Sequence, residues 1–161
     1  MKALTVADII VTYFDTKGDL ITNKKLQKLL YYVEAWNLVY HKSLIDDDFE
    51  AWVNGAVVPS VYREFKKFGY SAIETGYKKG ETATKKLDRL FNETDISKKH
   101  KEILEGVLDK YGALASYQLE SLCHSEKPWQ EARKGLKPFE PSSNVIDKKV
   151  MKKYYSSLVK K

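Results

Sequence analysis

The sequence predicts an all-α protein, a predominantly helical single domain over residues 1–161 with seven or eight helical segments around one buried central helix. Three observations carry that expectation. Between Thr22 and His41 the chain is apolar or aromatic at almost every position, and from Leu29 to Tyr40 only Glu34 and Asn37 interrupt. A surface helix shows a single apolar stripe, so a segment apolar around most of its circumference must be wrapped by others. Elsewhere, apolar residues recur at spacings of three and four, and glycines and prolines mark short connections between the resulting stripes.

Taken in order, Thr5 and Asp8 form a helix-start pattern, and Val6, Ile9, Ile10, Tyr13 and Phe14 make one face of a helix from Val6 to about Thr16. Gly18 ends it. Thr22 or Asn23 caps the central helix, whose opening turns carry Lys24, Lys25 and Lys28. That end of a helix dipole disfavours cations, so these lysines are expected either to solvate the exposed part of the first turns or to meet an acidic surface. Phe49, Ala51 and Val53 then alternate up to Gly55, which predicts a short β-hairpin near residues 49–58. Pro59 fits the first turn of an amphipathic helix that carries Val61, Tyr62, Phe65 and Phe68 to Gly69.

Residues 70–83 read as the longest loop. Leu87, Leu90 and Phe91 mark a short helix, and His100, Ile103, Leu104, Val107, Leu108 and Tyr111 line a longer one from Ser97 to Tyr111. A further helix carries Leu119, Leu122 and Cys123, Pro128 and Trp129 open another short one, and KGLKPFEPSSN (134–144) is a loop. The last helix starts between Asn144 and Asp147 and should turn Ile146, Val150, Met151, Tyr154, Tyr155 and Leu158 inward.

At this length one core can be buried without disulfides or a structural metal. The single Cys123 excludes an internal disulfide and a multi-cysteine zinc site, and the first ten residues lack the pattern of a signal peptide. A cytoplasmic protein with no membrane segment is expected. The formal charge of +6 is unevenly spread: DDDFE (46–50) is acidic and reads as a solvated loop, whereas the segment after Asn144 holds six lysines against one aspartate.

Catalysis finds little support. Cys123 and His124 are adjacent, and adjacent side chains on a helix diverge by about 100°, too far apart for a hydrogen-bonded dyad. Cys123 lies on the apolar stripe and reads as a core thiol, and His100 as a half-buried packing residue. No paired metal-ligand spacing and no phosphate-binding glycine loop occurs, so no catalytic residue, metal or cofactor is expected. An alternative reading makes the protein a nucleic-acid-binding regulator. In it, Lys148, Lys149, Lys152 and Lys153, at helical spacing on the outer face of the last helix, would neutralise phosphates.

Three segments together resemble the Panacea domain, the family of SocA-like antitoxins and related phage-associated proteins: ITNKKLQKLLYYVEAWNLVY (21–40), FEAWVNGAVVPSVYREFKKFG (49–69) and LCHSEKPWQEA (122–132). The resemblance implies a protein that binds and neutralises a cognate toxin rather than one that performs a reaction. In at least one branch of the family it also implies an adaptor that hands its toxin to a Clp-type AAA+ protease. Carried over by position, the signature is Lys25, Leu26, Lys28, Leu29, Tyr31, Trp52, Gly55, Val58, Pro59, Tyr62, His124, Pro128 and Trp129. Of these, Trp52 and Trp129 are the best suited to meet a partner or each other, since tryptophan combines a large apolar surface with one N–H donor, although core packing is the first expectation for either one. Two positions depart from the family's usual pattern: Gly55-Ala56-Val57 stands where Gly-Pro-Val is usual, and Cys123 where threonine usually precedes the histidine.

Overall fold

The computed structural model describes residues 1–159. Helix α1 spans Ala3–Asp15 and α2 Asn23–Tyr40; strands β1 (Glu50–Trp52) and β2 (Gly55–Val57) form an antiparallel hairpin. Helix α3 (Pro59–Phe65) continues into a 3-10 turn at Lys66–Phe68. Then follow α4 (Ala83–Glu93), α5 (Lys98–Tyr111), α6 (Ser116–Ser125), α7 (Lys127–Ala132) and α8 (Lys148–Leu158). The fold is predominantly helical, as expected, with the hairpin as the only sheet among the described residues.

Helix α2 is the post. It packs against α1, α3, α5, α6, α8 and β2, and each of residues 26–35 is at most 1% exposed. Thr22 caps it, its Oγ1 accepting from the Lys25 N–H at 3.2 Å. Enclosure stops at the C-terminal end, where Trp36 is half-buried and Tyr40 exposed.

The polar interruptions in α2 hold neighbouring chain segments. Glu34 is fully buried, and its Oε1 accepts the Leu44 and Ile45 N–H groups, each at 2.9 Å. Its Oε2 accepts the Ser43 hydroxyl at 2.5 Å and pairs with the Lys148 ammonium at 3.0 Å. Asn37 donates to the Val33 carbonyl at 2.7 Å, so its amide oxygen accepts from His100 Nδ1, also at 2.7 Å. His100 is therefore a buried hydrogen-bonding residue rather than a half-buried packing one.

Several local expectations need correction. Helix α1 begins at Ala3, ahead of the Thr5 pattern, because its end is satisfied from a distance: the Ala3 N–H donates to Asp47 Oδ1 at 2.8 Å. Asp47 also accepts from Ser60 at 3.2 Å, so the acidic loop is partly tied down rather than merely solvated. The end of the 134–144 loop joins the hairpin edge, where the Ala51 N–H donates to the Asn144 carbonyl and the Ile146 N–H to the Phe49 carbonyl, both at 2.8 Å. In α8, Met151 and Tyr155 are fully buried, but Val150 is only half-buried and Leu158 is exposed. A helix of this length crossing one side of α2 has room to bury a single stripe.

Candidate functional site

The signature residues converge on the hairpin and the α6–α7 corner. Leu26, Leu29 and Tyr31 are core residues on α2. The lysines there do not form the free cationic turn that sequence suggested. Lys24 pairs with Glu120 at 2.7 Å, and Lys25 donates to the Gly112 carbonyl at the end of α5 at 2.7 Å. Lys28 is 1% exposed, and its ammonium donates to the Ala56 carbonyl at 3.2 Å.

The Lys28 stem runs beneath Gly55, where a Cβ would stand 2.4 Å from Lys28 Cε. Gly55 also has φ +113°, a conformation that other residues avoid. Two signature positions are thus one steric unit. The lysine stem needs the bare backbone above it.

Burial pulls the Lys28 pKa down to about 8. Between that value and the usual lysine range the unfolded chain holds a proton that the folded chain does not, so stability rises with pH across this window. Unfolding free energy from urea titrations should climb by about 1 kcal/mol from pH 7.5 to pH 9.5, the gain from Lys28 being partly offset near the top of the range by the Cys123 thiol, which burial keeps protonated in the folded chain. Above about pH 10 the buried phenols of Tyr31 and Tyr32, whose pKa values burial raises, reverse the trend. Lys28→Met should flatten the rise; an unchanged slope in that variant would refute the assignment to Lys28.

Around this unit the hairpin is clamped to α7. Val58 donates its N–H to Gln27 at 2.9 Å just before Pro59 opens α3, and Pro128 lies buried in the first turn of α7. Trp129 Nε1 donates to the Trp52 carbonyl at 2.9 Å, so the two tryptophans are joined through backbone. The Trp52 ring meets Tyr62 edge-on at 5.0 Å, and its Nε1 donates to Glu50 at 2.9 Å. His124 stacks on Trp129 at 4.2 Å. Arg133, not marked by sequence, is buried and donates to the carbonyls of Ala51, Lys137 and Glu140 at 2.9, 3.2 and 2.7 Å.

Trp52, Tyr62, His124 and Trp129 remain half-buried. His124 and Trp129 border a cavity of about 550 Å³ whose outer lip includes Phe139, which is 86% exposed. Burial lowers the His124 pKa, and its Nε2 is buried with no hydrogen-bond partner among the described residues. The arrangement is an aromatic face with a buried imidazole nitrogen set into it.

The family model for the antitoxin SocA-like, Panacea domain matches residues 26–130. The chain belongs to this family. Comparisons with curated proteins and with solved structures give no match. The matched stretch runs from α2 into α7 and contains every signature residue except Lys25, which immediately precedes it.

In this Panacea domain the two departures from the usual pattern face each other. The backbone of Ala56 lies beside the Cys123 sulfur and works against the effect of burial on the thiol. Ala56 sits opposite Ala51 in the hairpin, and its carbonyl accepts from the Lys28 ammonium. Burial still pushes the Cys123 thiol up to about 11, as expected of a core cysteine. No cluster of three or more potential metal ligands occurs among the described residues.

The basic strip of the alternative reading is narrower than its sequence. Lys149, Lys152 and Lys153 are exposed, but Lys148 turns inward to Glu34 and the Ile45 carbonyl, because a fully buried carboxylate is a stronger partner than solvent. No described helix is long and apolar enough to cross a membrane.

Sequence alone does not mark Glu126, which lies between α6 and α7 in extended conformation. That backbone geometry turns its side chain into the core. Its Oε1 accepts the hydroxyls of Tyr32 at 2.6 Å and Tyr155 at 2.7 Å, and the Tyr31 hydroxyl lies 3.1 Å from that of Tyr155. Burial raises the Glu126 pKa, while the two phenol donors oppose the rise. An acid between Ser125 and Lys127 reads as a surface residue, and only the break between two helices places it inside.

Proposed function

We propose that this Panacea domain is an antitoxin that neutralises a cognate protein toxin by direct binding, through the face that carries Trp52, Tyr62, His124 and Trp129. The family match is the observation that carries the reading. The geometry supports it: the signature residues build a stiff frame around Lys28 and Gly55 and leave half-buried aromatic surface at the α6–α7 corner. Such a surface suits occlusion, since tryptophan and tyrosine offer large contact area with little side-chain entropy to lose. Delivery of the bound toxin to a Clp-type AAA+ protease is a further step consistent with the same docking.

Co-expression with the neighbouring gene product should restore growth of cells poisoned by it, and the two proteins should co-purify. Phe139→Asp, at a position too exposed to affect folding, should weaken co-purification at least tenfold, and Trp129→Ala should abolish it. Failure of rescue and of co-purification with folded protein would overturn the proposal. A toxin whose cellular half-life is unchanged during rescue would exclude proteolytic delivery and leave occlusion.

A further inference from the structure

The open end of α2 faces a second cavity, separate from the His124–Trp129 face. It has a volume of about 670 Å³ and is walled by Trp36, Tyr40, Tyr111, Leu122 and Leu158, with Glu126 at its inner end. The rings are ordered. Trp36 stacks on Tyr40 at 5.7 Å and donates its Nε1 to the Tyr111 hydroxyl at 2.8 Å, while Tyr111 stacks on Tyr32 at 4.4 Å.

Glu126 is 6% exposed, and both hydrogen bonds that its carboxylate accepts go to Oε1. No donor reaches its Oε2 and no lysine or arginine pairs with it among the described residues. The other charged residue lining the cavity, Lys110, directs its ammonium at the Tyr111 ring, 5.9 Å from the centroid. Buried carboxylates are ordinarily paired, because an isolated one loses its hydration without return. Here the missing charge is approached through an apolar, aromatic channel. Such a channel suits an aliphatic stem tipped by a cation, with the stem against Leu122 and Leu158 and the head held by ring faces and carboxylate.

We propose that this cavity receives a lysine or arginine side chain of a partner protein, which pairs with Glu126 between the rings of Trp36, Tyr40 and Tyr111. The inference rests on the toxin-binding reading only for the identity of that partner. The site itself takes any alkyl cation of suitable length.

The test uses butylguanidinium and pentylammonium as probes, with 1-pentanol as the neutral control, and follows the Trp36 indole N–H by NMR in the full chain. Both cations should shift that resonance saturably, at least tenfold more tightly than pentanol. Glu126→Gln, which keeps an acceptor for Tyr32 and Tyr155, should remove the preference for cations. Tyr40→Ala, at an exposed ring, should weaken the cations severalfold and leave the fold intact.

Equal binding of cations and pentanol, or cation binding that survives in Glu126→Gln, would overturn the proposal. Two other occupants would also overturn it. The chain's own Lys160 or Lys161 would be revealed if changing both to alanine shifted the Trp36 signal without any probe. A second copy would be revealed by a dimer in sedimentation that Glu126→Gln dissolves. Cation binding together with failed toxin capture would support the site and refute the antitoxin reading; toxin capture without cation binding would do the reverse.

Discussion

Replacing Glu34 by alanine is expected to destabilise the protein by about 3–5 kcal/mol, measured as a lower urea midpoint at constant slope. The carboxylate accepts from two backbone N–H groups and a serine hydroxyl and pairs with Lys148, with no exposure to water. Its loss leaves the Leu44 and Ile45 amides unsatisfied and removes the charge partner of Lys148. Lys148→Met should cost much less, because its side chain is a quarter exposed and Glu34 keeps three other donors. If Lys148→Met proved as damaging as Glu34→Ala, the backbone contacts would be ruled out as the main contribution.

The second large effect is expected at Gly55. Gly55→Ala should destabilise by about 2–4 kcal/mol, the sum of a residue forced into a positive-φ conformation and a methyl pressed on the Lys28 stem. The two parts can be separated. Lys28→Ala clears the space below and should recover the steric part in the double variant, while the backbone part persists. Strict additivity of the two substitutions would contradict the packing described for this pair.

The fold was legible where periodicity is strong. The α2 column, the α5 stripe and the hairpin near residues 49–58 all follow from patterns within some twenty residues of chain. What escaped depends on partners far apart in sequence. Nothing near Thr5 reports that Asp47 will satisfy the end of α1, and nothing near Lys28 reports that a bare glycine 27 residues later leaves room for its stem. Charged residues misled most, because the prior for lysine or glutamate is the surface, whereas Lys28, Glu34 and Glu126 are buried by tertiary partners. The signature residues emerged as a frame plus a face, a division that sequence order does not contain.

The way α8 is fastened bears on how the chain is made. Glu34 waits for Lys148, and the hydroxyl of Tyr31 waits for that of Tyr155, across separations of more than a hundred residues. On the ribosome, the middle of α2 therefore emerges long before its last cover does. Until residues 148–155 are made and docked, the nascent chain leaves one side of its central helix open to chaperones, proteases and other chains, and folding cannot complete before that segment arrives.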